Sequence, residues 1–193
     1  MMERYVKGRR YVADAAGRAE LPALHAFCTR VVPGGFAGLD KWLERHDRNP
    51  GIFFAVKSWD EGAPPPAARL VGGFAVTPLG GEARGLLDQA RLKGVDLKVE
   101  HITPPGETPA AMYISGIAAE GLPARAATLE FLREVMRGAI ARGTRLFYTR
   151  PMRGDGLRLV RAYGFEPVDP SATGQFDRVY RKEFDDDAAL KSS

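Results

Sequence analysis

Apolar residues in this chain fall either at helical spacing or in short, nearly continuous runs of strand length. The helical spacing is clearest from Pro123 to Arg142, where Leu129, Leu132, Val135 or Met136, and Ile140 recur at three- to four-residue steps. Pro123 suits a first helical turn, where its missing N–H costs nothing, and Gly143 follows as a stop. Ala19–Val32 reads as a helix with Leu21, Leu24, His25, Phe27 and Cys28 grouped on it, broken by Pro33-Gly34-Gly35. A short helix over Leu39–His46 carries Leu39, Trp42 and Leu43 on one face. Gly81–Lys93 and Gly156–Tyr163 have helical composition, the second closed by Gly164.

Strand-length runs occur at Ile52–Ser58, Arg69–Thr77, Ala111–Ala118, Thr144–Thr149, Phe165–Val168 and Arg178–Phe184, with Tyr5–Val12 as an edge strand. Asn49-Pro50-Gly51 is a turn, and Glu61–Pro66 cannot join a ladder and is a loop, so the strands on either side of it form an antiparallel pair. Gly72-Gly73 inside a strand marks a bulge or a close backbone approach. Val95–Pro109 is irregular. The strand–helix–strand crossovers of the second half require parallel pairing, so the sheet is mixed.

With 193 residues, one domain is expected over residues 1–184, with residues 185–193 as a flexible acidic and polar tail. An apolar share of 45% and a charged share of 27% are those of a soluble globular chain. No apolar run has the roughly 20 residues of a membrane span, and the charged start Met1–Arg10 lacks the apolar core of a secretory signal. A single cysteine, Cys28, rules out an internal disulfide and suits a reducing compartment, so a cytoplasmic location is expected. The net charge of +4 comes from scattered residues rather than a basic stripe, which argues against nucleic acid and allows an anionic ligand. Three separated histidines and one cysteine form no metal-ligand spacing, and no P-loop is present.

Three segments, in this order, resemble the GNAT (GCN5-related N-acetyltransferase) superfamily. They are Ala19–Leu24, then Tyr113–Ala118 with the long helix to Gly143, then Gly156–Val168 with its Tyr163-Gly164-Phe165 turn. The resemblance covers residues 10–184. It implies an α/β (α+β) fold with a mixed, mostly antiparallel central sheet flanked by helices. It implies an N-acetyltransferase that takes acetyl from acetyl-CoA (coenzyme A) to a small-molecule or protein amine, with dimers common. The pantetheine arm would pair with Ile117, Ala118 and Ala119, and the pyrophosphate would meet the following helix N-terminus.

The family's signature there is Arg or Gln, two residues, Gly, one residue, then Gly or Ala. Counting back from Gly143 places it on Pro123, Ala124, Arg125, Ala126, Ala127 and Thr128, a degenerate version that keeps backbone amides, Arg125 and the Thr128 hydroxyl as donors. The family's usual tyrosine acid falls on Val160. Tyr163 is therefore the nearest candidate, with Tyr148 and Tyr113 as further ones. Glu120 and His101 are the candidate bases. The degenerate loop also leaves open a catalytically inactive binding or regulatory module with the same fold. His25, His46 and Cys28 read as structural.

Overall fold

A computed structural model describes residues 1–59, 68–169 and 178–185. The expected loop at Glu61–Pro66 and all but the first residue of the expected tail lie outside the described residues. Among those described, eight strands form one sheet and five α-helices accompany it. The strands are β1 (Met2–Val6), β2 (Arg9–Ala15), β3 (Phe53–Trp59), β4 (Arg69–Leu79), β5 (Ala111–Ala119), β6 (Leu146–Thr149), β7 (Glu166–Pro167) and β8 (Tyr180–Glu183). The helices are α1 (Leu21–Val31), α2 (Leu39–Arg48), α3 (Gly81–Asp88), α4 (Gly121–Ala141) and α5 (Gly154–Ala162).

The sheet order is β1-β2-β3-β4-β5-β6-β8-β7. β1–β2, β2–β3, β3–β4, β6–β8 and β7–β8 pair antiparallel, and β5–β6 pairs parallel. The fold is therefore the mixed, mostly antiparallel α/β arrangement expected from the residues. No helix among the described residues is long and apolar enough to cross a membrane.

Some element predictions need correction, among them the start of α5, which is Gly154 rather than Gly156. The single edge strand Tyr5–Val12 is instead a hairpin, with β1 and β2 joined at Lys7 and Gly8, both at positive φ (50° and 75°). The helix predicted to reach Lys93 ends at Asp88. The helix predicted to begin at Pro123 begins at Gly121.

The chain divides into two compact units. The first holds residues 1–75 and 116–136. Its β4 carries a register shift against β3 at Val56/Lys57, and the two glycines next to it face opposite ways. A Cβ on Gly73 would lie 2.6 Å from Leu24 and 3.3 Å from the Cys28 sulfur, both on α1. One on Gly72 would lie 2.5 Å from the Thr128 hydroxyl on α4. Side chains alternate across a strand, so α1 and α4 cover opposite faces of this part of the sheet, and each glycine lets its helix approach. Trp42 of α2 stacks on Phe53 (4.3 Å between centroids), and Phe54 stacks on its cross-strand partner Phe74 (4.8 Å).

The second unit holds residues 76–115 and those from 137 onward. Its core gathers Leu79, Ala83, Leu87, Leu92, Leu97, Ala111, Tyr113, Leu146, Tyr148 and Val179. The stretch predicted to be irregular contains two short 3-10 turns, Gly94–Asp96 and Val99–His101, and is tied down where Ile102 bridges Leu79.

Candidate functional site

β5 is half-paired along one edge. Its parallel ladder with β6 covers Met112–Ile114, and β6 ends at Thr149, while β5 continues to Ala119. Just past the end of the ladder, Gly116 has φ +65°, a conformation that puts a bulge-like kink into a strand and favours glycine. Ser115, Gly116 and Ile117 are half-buried there, whereas Ala118 and Ala119 are buried. Extended backbone with an unmatched edge can pair with a peptide-like ligand arm. Ile117, Ala118 and Ala119 lie in that stretch.

One residue, Glu120, separates β5 from α4. The six positions from Pro123 to Thr128 are thus inside the first two helical turns rather than in a loop. A helix bonds each N–H to the carbonyl four residues back, so the amides of Ala124, Arg125, Ala126, Ala127 and Thr128 belong to the helix ladder. The amides at the helix mouth are those of Gly121 and Leu122, because Pro123 has none. Thr128 is fully buried with its hydroxyl over Gly72 and without a hydrogen-bond partner, and Ala127 is also fully buried, so neither side chain reaches the helix mouth. Arg125 is exposed one turn above Gly121, on the same helix face.

A Cβ built on Gly121 meets nothing within 4 Å, and Gly121 has φ +77°. Among the described residues, nothing crowds the mouth of α4 at Gly121. Its two amides, the positive end of the helix dipole and the Arg125 guanidinium make a thin donor set that fits an anion such as a pyrophosphate.

Glu120 is held on both sides. Arg30 Nη1 donates to its Oε1 at 2.6 Å, and Arg69 Nη1 lies 3.7 Å from its Oε2. Its own N–H donates to the Val71 carbonyl (2.9 Å), which fixes the β5–α4 junction to β4. A carboxylate engaged by guanidinium groups at both oxygens has its charge balanced and its lone pairs directed at those partners. Sequence spacing gave no sign of Arg30 or Arg69 as partners, since Arg30 lies 90 residues away along the chain.

In the second unit, His101 is buried, and its Nδ1 accepts the Lys98 N–H at 3.2 Å. That bond occupies the Nδ1 lone pair. Tyr148 is fully buried and donates its hydroxyl to Asp88 Oδ1 at 2.6 Å. Asp88 also meets Arg181 (3.2 Å) and Arg84 (3.7 Å). Burial first, and the bond to Asp88 second, raise the Tyr148 phenol well above its ordinary pKa. Tyr113 is buried with its ring against Gly94, where a Cβ would come within 2.4 Å of the hydroxyl. Tyr163 follows the last residue of α5, half-buried, and its carbonyl accepts from Lys182 Nζ at 2.7 Å.

The residues read as structural have structural partners. His25 donates Nε2–H to the Ala37 carbonyl (2.9 Å) and meets Trp42 edge-on. His46 is buried at the end of α2. Cys28 is buried under Gly73, and burial pushes its thiol up to about 12, so it is no nucleophile at neutral pH.

No family model matches the sequence, and no curated protein matches it. Solved structures match it in fold. An acetyltransferase of the GNAT family from Listeria monocytogenes 4b F2365 matches at a TM-score of 0.59 and 11% identity, over 95% of this chain and 100% of that one. The loading GNATL domain of CurA from Lyngbya majuscula matches at 0.63 and 11% identity, over 90% and 97%. A GNAT-family N-acetyltransferase (YhbS) from Escherichia coli, in complex with CoA, matches at 0.52 and 14% identity, over 99% and 89%.

Proposed function

We propose that this chain, which has the GNAT fold, binds an acyl-coenzyme A and transfers its acyl group, acetyl in the first instance, to an amine. The observation that carries this reading is the continuity of β5 with α4. Among the described residues, the β5–β6 ladder ends at Ile114, and β5 runs on directly into the uncrowded start of α4 at Gly121. An extended, amide-bearing pantetheine can hydrogen-bond along that stretch of β5, and its pyrophosphate can sit at the start of α4.

In the transfer, the amine nitrogen attacks the thioester carbonyl, the C–S bond breaks, the nitrogen loses a proton and the thiolate gains one. Most of the rate comes from holding the two reactants together. The backbone of Ile117–Ala119 would orient the arm, and Arg125 with the Gly121 and Leu122 amides would hold the phosphates. Glu120 would set the charge of the helix mouth through Arg30 and Arg69. Tyr163 is the candidate proton donor to the leaving thiolate, because the other expected groups, Glu120, His101, Tyr148 and Tyr113, are clamped or buried. The amine is a small molecule or a protein, and a homodimer of a single-domain, cytoplasmic protein is the proposed setting.

Isothermal titration with coenzyme A and acetyl-CoA tests the reading, and no binding at millimolar ligand overturns it. A second reading is favoured by the one-residue junction and the doubly clamped Glu120. In it, the protein keeps the fold and the ligand and has lost the reaction. Coenzyme A binding without turnover across a broad amine panel would establish that reading.

A further inference from the structure

We infer that Phe36 is the residue that limits the size of the acyl group this protein accepts. The inference rests on the coenzyme A reading above. Gly116 and Gly121 are five residues apart, a span of at most about 17 Å at the rise of a strand. A pantetheine arm is a chain of thirteen atoms from the pyrophosphate to the sulfur, roughly 16 Å when extended with ordinary bond lengths. With the phosphates at the mouth of α4 and the arm along β5, the sulfur arrives level with Gly116.

The space beside Gly116 is already taken. A Cβ on that residue would lie 2.9 Å from the Phe36 ring, so the ring fills the volume that a side chain would fill. Phe36 comes from the connection between α1 and α2, where Val31-Val32-Pro33-Gly34-Gly35-Phe36-Ala37-Gly38-Leu39 contains no charged residue. The ring is anchored from behind. It meets Trp42 edge-on (5.9 Å, 69°), and Trp42 is stacked on Phe53. His25 holds the neighbouring residue through its bond to the Ala37 carbonyl. An apolar, braced ring at the level of the thioester stands in the way of a long acyl chain.

The test measures affinity, so it needs no knowledge of the amine. Coenzyme A, acetyl-CoA and butyryl-CoA are titrated into the wild-type protein and into Phe36→Ala and Phe36→Leu. Expected is a wild-type preference for acetyl-CoA over butyryl-CoA of about tenfold or more, the scale of a missing methylene pocket. Phe36→Ala is expected to bring the two to within about threefold, with coenzyme A affinity unchanged, and Phe36→Leu to fall between. An unchanged ratio in a variant that still binds coenzyme A overturns the role of Phe36 and leaves the cofactor reading standing. Should Phe36→Ala fail to fold, the ratio in Phe36→Leu decides. No coenzyme A binding by the wild type overturns both.

Discussion

The Thr128 hydroxyl lies over Gly72, close enough that a Cβ on Gly72 would come within 2.5 Å of it, and the oxygen is buried without a hydrogen-bond partner among the described residues. One contact therefore combines a tight approach of α4 to β4 with an unsatisfied polar atom. Thr128→Val keeps the shape and removes the atom, so it is expected to stabilise the fold by about 1 kcal/mol. Gly72→Ala also meets the Ala118 carbonyl and the Val56 side chain at 3.3 Å, and is expected to cost about 1–3 kcal/mol. Urea denaturation of both variants checks the pair, and a destabilised Thr128→Val would show that the hydroxyl has a partner.

The same contact shows what could be read from the residues and what could not. Gly72-Gly73 announced a bulge or a close approach, and both are present, yet nothing in the sequence says that one glycine faces α1 and the other α4. The helix ends show the limit more sharply. α3, α4 and α5 all end with the same pair of backbone bonds. These are Arg91 to Leu86 with Ala90 to Leu87, Thr144 to Ala139 with Gly143 to Ile140, and Phe165 to Val160 with Gly164 to Arg161. Gly143 and Gly164 made two of these ends legible. Ala90 occupies the left-handed position in the third (φ 54°), and the predicted helix overran it. The β1–β2 hairpin was hidden in a similar way, because Lys7-Gly8 is not a usual two-residue turn and Glu3, Arg4, Arg9 and Arg10 blur the alternation around it. At the site, β5 and α4 were legible from apolar pattern. The one-residue junction between them was not, because spacing from Gly143 says nothing of where β5 ends.

Tyr148 and Cys28 together predict the alkaline limit of stability. Both groups have pKa values raised by burial above their ordinary values of 10.0 and 9.0. A raised acid pKa means that the folded state holds its proton more tightly than the unfolded chain does. The associated stability is fully present below the ordinary values and is lost as pH rises above them. Stability is therefore expected to be flat through neutrality and to fall from about pH 9 upward. Tyr148→Phe should flatten the upper part of that fall. It should also cost roughly 1–2 kcal/mol at pH 7 through loss of the bond to Asp88. Denaturation midpoints measured from pH 7 to 11 check this, and a slope unchanged in both Tyr148→Phe and Cys28→Ala would refute it.

Glu120 gives a prediction that separates charge balance from base catalysis. Glu120→Gln removes a negative charge at the mouth of α4 and leaves Arg30 and Arg69 uncompensated. Coenzyme A is an anion, so its affinity is expected to rise by a few-fold at low salt, with the gain shrinking as ionic strength increases. Acyl transfer, once an acceptor amine is found, is expected to keep a similar maximal rate. A large fall in rate with unchanged affinity would instead make Glu120 the base.

Ala90 is the position where the fold is most readily improved. It follows α3 with φ 54°, and its N–H donates to the Leu87 carbonyl at 2.9 Å while that of Arg91 donates to Leu86 at the same distance. These bonds require the left-handed conformation, in which an L-residue with a Cβ is strained by roughly 1 kcal/mol and glycine is not. Ala90→Gly releases that strain but gives the unfolded chain more freedom, which offsets part of the gain. The net expectation is a stabilisation of about 0.5 kcal/mol, read as a rise in melting temperature. Ala90→Val, with a branched Cβ at the same φ, is expected to lower it. The order Gly above Ala above Val matches neither helix propensity, in which Ala leads and Gly trails, nor strand propensity, in which Val leads, so the left-handed cap accounts for it. An equal or lower melting temperature for Ala90→Gly would mean that this turn is not held in the left-handed region in solution.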